Sequence, residues 1–141
     1  MKNSRFIIIL ITIVIISCAR RPDRAASAFG IEISDIAYTV LESFEQWAPN
    51  GDGEYYVSLA LESISKESIE RIKSDMRKKG AKELPVVEDL VAPGRMNTFY
   101  RTRGRDIGLY LIKIDDTDER NYSILIYDET TREMIIYIQI M

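Results

Sequence analysis

The sequence predicts an α+β fold, in which an antiparallel sheet of about five strands carries one main helix packed on one face. Several segments alternate apolar and polar residues with the two-residue period of a strand, and one segment repeats its apolar residues with the period of a helix. Short turn sequences join neighbouring strands, which favours antiparallel pairing. With 141 residues the chain has room for a single domain, predicted over residues 31–141.

The first segment of this domain, 31–47, fits two interpretations. Its apolar residues recur at helical spacing, at Ile33, Ile36, Val40, Phe44 and Trp47. Residues 36–44 are nevertheless rich in β-branched and aromatic side chains, and they lead into the turn sequence 49–53, which contains Asn-Gly and Asp-Gly. We therefore predict a strand at 36–44 and keep a helix as the alternative.

The clearest strand is predicted at 54–62. Its apolar residues fall on one face, at Tyr55, Val57, Leu59 and Leu61. Its other face carries Glu54, Ser58 and Glu62. This alternation is typical of a strand that is buried on one face and exposed on the other.

The main helix is predicted over 65–79. Ser65 can cap its first turn, basic residues crowd its last turn, and Gly80 follows as a stop. Its apolar stripe consists of Ile69, Ile72 and Met76. We expect this stripe to pack on the apolar face of the preceding strand.

The C-terminal third is predicted as successive strands. An extended connection over 85–98 precedes them, and the strands themselves are predicted at 107–114, 122–127 and 133–140. A turn at 128–132 joins the last two strands, which should therefore pair as a hairpin.

The first 18 residues have the pattern of an export signal. Lys2 and Arg5 form a cationic head, and the apolar run at 6–16 follows. A helix of this length spans about 16 Å, too short for a hydrocarbon core of about 30 Å but typical of a signal peptide. The run ends at Ile15-Ile16-Ser17-Cys18, which resembles the lipobox of bacterial lipoproteins: an aliphatic residue, a small residue directly before the cysteine, and the cysteine itself.

This resemblance implies a lipid attached to Cys18, cleavage before Cys18 and acylation of the new amino group. Residues 1–17 would then be the signal peptide, and 18–30, which are small, charged and aperiodic, a lipid-anchored tether. The implied location is the bacterial cell envelope: the outer membrane facing the periplasm in a Gram-negative cell, otherwise the outer face of the cell membrane. The alternative is an uncleaved anchor, because three arginines follow the apolar run at Arg20, Arg21 and Arg24, and positive charge there opposes export.

Composition excludes several chemistries. The chain has no histidine, and Cys18 is its single cysteine, so it lacks the disulfides, the His or Cys metal ligands and the His base on which many enzymes rely. Removing Lys2 and Arg5 with the leader leaves 17 basic and 22 acidic residues, a net charge of −5 that disfavours nucleic acid as a partner. No cofactor is predicted.

Three features of the sequence are candidate binding sites. The acidic run 115–119 offers oxygens to a calcium ion, but it lacks the glycine and distant glutamate of an EF-hand and is interpreted as a solvated turn, as is Asp52 between two glycines. A basic cluster with aromatic neighbours includes Arg95, Phe99, Tyr100, Arg101, Arg103 and Arg105. With Lys78, Lys79 and Lys82 it can meet anionic headgroups or an acidic partner, although solvated loop charges are the favoured interpretation.

The body of the chain resembles small uncharacterised bacterial envelope domains through Gly51-Asp52-Gly53 and Ile126-Tyr127-Asp128. That resemblance names no activity. We therefore hypothesise a non-catalytic, lipid-anchored envelope protein that binds an unidentified envelope protein, as an accessory or an immunity-type domain. The alternatives are a small envelope enzyme using carboxylates and tyrosines, and a carrier of an apolar ligand.

Overall fold

The computed structural model describes residues 22–61, 64–88 and 104–141. Its helices are α1 (Pro22–Ser27) and α2 (Lys66–Lys78), and its strands are β1 (Thr39–Trp47), β2 (Gly53–Ala60), β3 (Lys82–Glu83), β4 (Gly108–Ile114), β5 (Tyr122–Asp128) and β6 (Glu133–Ile140). The strands form one sheet in the order β1-β2-β6-β5-β4-β3, and every neighbouring pair is antiparallel.

The predicted antiparallel sheet with helices is therefore present, but its strand and helix counts differ from the prediction. The described residues hold six strands and two helices rather than about five strands and one main helix. The additional elements are β3, with 2 residues, and α1, with 6 residues. Neither is long enough to display a period in the sequence, which is why the pattern did not reveal them.

Helix α2 begins and ends within one residue of its prediction. The Ser65 hydroxyl oxygen accepts a hydrogen bond from the backbone N–H of Ser68 at 3.1 Å, which caps the first turn. At the other end Gly80 adopts φ +88°, the left-handed conformation that stops a helix. Ile72 and Met76 are buried against the sheet, in one cluster with Val57, Leu59, Leu61, Leu125, Met134 and Ile136. The helix stripe therefore shares one core cluster with the apolar face of β2, as predicted, while the strand that α2 approaches most is β4.

We call this side of the sheet the helix face, and the opposite side, which carries Tyr56, Tyr110, Ile124, Ile126, Ile135 and Tyr137, the tyrosine face. The residues that define the tyrosine face are also buried. The strand predicted at 54–62 is therefore not exposed on its second face, since Tyr56 and Ser58 are both buried there. The alternation of apolar and polar residues at 54–62 therefore distinguishes the two faces of the strand by polarity, although both faces are shielded from solvent.

The predicted tether at 18–30 differs most from the structure. Residues 22–30 form α1 and a following turn, and Ala26 and Phe29 are only 0% and 3% exposed within the helix-face core. The chain then continues through the core with Ile31, Ile33 and Ile36 buried. The folded domain thus begins by Pro22, and a tether can occupy only the residues before it.

The ambiguous segment 31–47 contains a strand, as predicted, but β1 starts three residues later than 36–44 would place it. Ile36 is buried in a turn closed by a hydrogen bond from its N–H to the Ile33 carbonyl at 3.0 Å. The helical spacing of Ile33 and Ile36 therefore comes from a turn that packs into the core.

The C-terminal strands agree with the prediction within one residue. Gly108 at the start of β4 is required by a close approach, because a Cβ built there would lie 2.0 Å from the Tyr127 carbonyl oxygen and its φ is +143°. Of the predicted connection at 85–98, only 85–88 belong to the described residues.

We predict that Phe29→Ala lowers the free energy of unfolding by about 3–5 kcal/mol, because it removes a buried aromatic side chain from the helix-face core. Urea unfolding of the purified protein, followed by circular dichroism, measures the change. Val87→Ala is the control, since Val87 is 76% exposed and its truncation should have little effect. An unchanged midpoint for Phe29→Ala would contradict the inclusion of residues 22–30 in the folded domain.

Candidate functional site

The proposed attachment residue Cys18 lies outside the described residues, as do Glu62, Arg95, Phe99, Tyr100, Arg101 and Arg103. Of the predicted arginine cluster, Arg105 alone can be placed. The described residues nevertheless contain three features that bear on function. These are an ion-paired network around Arg105, a set of polar contacts on the tyrosine face, and a groove beside β1.

Arg105 bridges two carboxylates at the end of the β5–β6 hairpin. Its Nη1 donates to Asp128 Oδ2 and its Nη2 to Glu133 Oε2, each at 2.8 Å, and Nη1 also reaches Thr131 Oγ1 at 3.2 Å. The Ser58 hydroxyl donates to the other oxygen of Glu133. Asp128 and Glu133 lie directly opposite each other in the strand register, where like charges repel. Arg105 therefore neutralises a pair of charges that the hairpin itself brings together.

The network fixes the charge states of its members. Burial disfavours the charged form of Asp128, but the hydrogen bonds from Arg105 and from the backbone N–H groups of Thr131 and Thr130 outweigh it and hold the pKa of Asp128 below its ordinary value. Burial acts against the charge of Arg105 as well, and the bonds to Asp128 and Glu133 reverse that effect and raise its pKa. Arg105 is thus a structural cation and not a free surface charge, contrary to the prediction of a solvated loop residue.

Both acidic turns use their carboxylates within the turn. Asp115 accepts hydrogen bonds from the backbone N–H and the hydroxyl of Thr117, at 2.8 Å and 2.6 Å. Asp118 pairs with Arg120, which lowers the pKa of Asp118 to about 2. Asp52 accepts from the Asn50 amide at 2.8 Å. Over the described part of the chain, no group of three or more acidic, His or Cys side chains is placed to hold a metal ion.

The tyrosine face has a polar end near the β4–β5 turn. The Tyr137 hydroxyl donates to Gln139 Oε1 at 2.9 Å, and Gln139 Nε2 donates to the Arg120 carbonyl at 2.6 Å. The rings of Tyr122 and Tyr137 lie 5.7 Å apart at a tilt of 43°. Burial raises the pKa of Tyr122 to about 12 and raises that of Tyr137 further, with added repulsion from Tyr122 and Glu54. Both phenols therefore stay protonated at neutral pH.

Among the described carboxyl groups and tyrosines with shifted pKa values, every shift favours the form that already dominates at neutral pH. The shifted carboxyl groups, Asp35, Glu88, Asp115, Asp118 and Asp128, all have a lowered pKa. The shifted tyrosines, Tyr55, Tyr56, Tyr110, Tyr122, Tyr127 and Tyr137, all have a raised pKa. A general acid or base works best with a pKa near the operating pH, and these shifts move each group away from neutrality.

A groove of about 220 Å³ separates the start of α1 from β1 and β2 on the helix face. Its lining includes Pro22, Val40, Ser43, Glu45, Tyr55 and Val57. Burial, together with the charges of Glu45, Tyr38 and Asp23, raises the pKa of Tyr55 to about 12. No residue pattern in the sequence indicates this groove, because it depends on where α1 docks.

A second concavity of about 220 Å³ lies at the other end of α1 and carries two lysines, Lys79 and Lys113. Lys113 Nζ donates to the Ala28 carbonyl at 2.7 Å and lies 5.3 Å from the centroid of the Phe29 ring. Its charge thus complements a helix C-terminus and an aromatic face. This arrangement stabilises α1 against β4.

Comparison with known proteins gives no family: the sequence matches no family model, and no curated protein or solved structure is significantly similar to it. Within the described residues, no helix is both long and apolar enough to cross a membrane. Functional inference therefore rests on the residues themselves.

We predict that Arg105→Met destabilises the fold by about 3 kcal/mol at pH 7, because it leaves Asp128 and Glu133 charged, opposed and poorly solvated. Chemical unfolding at several pH values measures this loss. In the native protein the lowered pKa of Asp128 stabilises the fold above its unfolded pKa near 4, and that stabilisation disappears as the pH falls through the folded value.

In Arg105→Met the pH dependence of stability reverses its sign. Without the arginine the folded carboxyl pKa values rise above their unfolded values, so the variant recovers relative stability as the pH falls from 7 toward 5. Arg120→Met is the matched control, because its partner Asp118 belongs to a solvated turn and its loss should change stability far less. Equal effects of the two substitutions would contradict the assigned role of Arg105.

Proposed function

We propose that this chain is a lipid-anchored protein of the bacterial envelope, held to the membrane through a lipid on Cys18, whose domain has a non-catalytic role in binding another protein. The observation that carries the proposal is the sequence Ile15-Ile16-Ser17-Cys18 at the end of a short apolar run, in a chain with no other cysteine. Residues 1–17 are the proposed signal peptide. Multiple acyl chains hold a protein firmly, whereas a single chain binds reversibly.

The position of the folded domain supports an anchor at Cys18. Helix α1 begins at Pro22, four residues after the cysteine, and it docks on the sheet through Ala26. An attached lipid would therefore lie outside the core, at the point where the chain enters the domain.

The charge states described above support a non-catalytic role. Two buried polar contacts are structural: Arg105 joins Asp128 and Glu133, and Tyr110 donates to Glu88 at 2.7 Å. Shifted carboxyl and tyrosine pKa values lie away from neutrality. These groups are suited to holding the sheet together.

The far edge of the sheet supports protein binding. Val87, in the segment after β3, and Ile107, next to the start of β4, are 76% and 60% exposed. Exposed apolar side chains of this kind are candidate contacts for a partner.

Fatty-acid labelling tests the anchor. We expect the native chain, produced in bacteria, to incorporate an alkyne-tagged fatty acid, and we expect Cys18→Ser to incorporate none and to keep its leader. Ser17→Ala is the matched control and should label normally, because alanine preserves the small residue before the cysteine. Equal labelling of the native chain and Cys18→Ser would overturn the anchor.

Photo-crosslinking tests the partner. A photoreactive amino acid at Val87 or Ile107, introduced into the chain in intact cells, should give a reproducible adduct with one envelope protein. The same amino acid at Ser74, an exposed position on α2, is the control and should give no such adduct. Identical background at all three positions would contradict a partner site on this edge.

A further inference from the structure

The folded domain begins close to the proposed lipid. Cys18 precedes Pro22 by four residues, and four residues reach at most about 14 Å when fully extended. From Pro22 onward the chain follows the sheet, because Ala26 and Phe29 are buried in the helix-face core. A lipid on Cys18 therefore keeps the surface around Pro22 within about 14 Å of the bilayer.

Exposed apolar side chains lie next to Pro22 on the edge strand β1. Pro22 shares the groove on the helix face with Val40 and Ser43 of β1. Strand β1 also displays exposed apolar side chains, with Val40 46%, Leu41 57% and Trp47 40% exposed. We call this surface, formed by Pro22, Val40, Leu41, Ser43 and Trp47, the anchor face. It lies mainly on β1, an edge strand of the sheet, and Pro22 connects it to the start of α1.

The charges near this face suit a bilayer with anionic headgroups. Arg20 and Arg21 lie between Cys18 and α1, and Arg24 is exposed on α1 itself. Basic residues next to an anchor are attracted to the negative surface of a membrane. Asp23 of α1 and Glu42 and Glu45 of β1 offset these positive charges and oppose deep insertion, so this face is suited to contact at headgroup level only.

Trp47 is a residue type suited to the headgroup level of a bilayer. Its indole N–H donates to Glu45 Oε1 at 2.8 Å, which keeps the polar edge of the ring satisfied while part of the ring remains exposed. Tryptophan is enriched at membrane interfaces because it combines an apolar body with a polar edge.

We infer that the anchor face rests on the lipid bilayer at headgroup level when Cys18 carries its lipid. This inference rests on the proposed lipid anchor and adds an orientation to it. Strand β3 is separated from β1 by five strand spacings of about 4.8 Å, or about 24 Å along the sheet. The edge that carries Val87 then points away from the bilayer, where a protein partner can reach it.

The test uses the full chain, purified from bacterial membranes and reconstituted into vesicles of phosphatidylethanolamine and phosphatidylglycerol. Trp47 is the only tryptophan of the chain, so its fluorescence reports on the anchor face alone. Replacing the lipids with analogues brominated near the headgroup should cause a loss of Trp47 emission relative to unbrominated vesicles. Leu41→Asp should reduce that loss without changing the lipid on Cys18.

A double variant, Trp47→Phe with Val87→Trp, is the matched control. Its tryptophan lies on the far edge of the sheet, and bromination should leave its emission unchanged. Quenching of both tryptophans to the same extent would overturn the orientation.

Mass spectrometry of the reconstituted protein separates the two proposals. A lipid on Cys18 together with an unquenched Trp47 would overturn the orientation and leave the anchor in place. The same result with crosslinks between two copies through position 41 would assign the face to a second copy of the chain instead. Absence of a lipid on Cys18 would overturn the proposed function, and the orientation with it.

Discussion

Burial of both faces of the central hairpin is the constraint on which the rest of this structure depends. In the register of β5 and β6, Leu125 lies opposite Ile136 on the helix face, and the next pair, Ile126 and Ile135, lies on the tyrosine face. All four side chains are buried. Burying one large aliphatic side chain contributes about 1.5–3 kcal/mol, so both faces of this hairpin must be covered for the sheet to be stable. The position of α1 and α2 on the helix face follows from that requirement.

The same constraint explains the charged cluster around Arg105. The tight β5–β6 turn places Asp128 opposite Glu133 at the end of the tyrosine face, next to buried apolar side chains. Their repulsion would be costly without a cation, and a lysine would offer only a point charge. The planar fork of Arg105 reaches one oxygen of each carboxylate with separate nitrogens, so a single side chain neutralises both. A residue from a basic stretch of the sequence thus holds the end of the hairpin together.

Sequence patterns predicted the elements whose formation is decided locally. The cap at Ser65 and the stop at Gly80 define α2, and the turn at 128–132 defines the last hairpin. The role of Arg105 escaped prediction because its partners lie 23 and 28 residues further along the chain. Helix α1 was not predicted because its composition is that of a tether. The docking of Phe29 into the core depends on tertiary packing, which a local pattern does not show. Cys18 as an attachment site comes from the sequence alone.

Docking of α1 on the sheet shortens the link between the proposed anchor and the folded domain, and so restricts how the domain can be oriented. A 13-residue tether would let the domain turn freely above the membrane, whereas with the proposed lipid on Cys18 only the three residues 19–21 would precede Pro22, and one face would be held against the membrane. A short link raises the effective concentration of that face at the bilayer to about the millimolar range, so contacts too weak to bind a membrane unaided become sufficient. This matters for an acidic domain, which an anionic bilayer would otherwise repel. With the proposed lipid on Cys18, the arginines before α1 would offset part of that repulsion, and the exposed side chains of β1 would need to contribute little more than orientation.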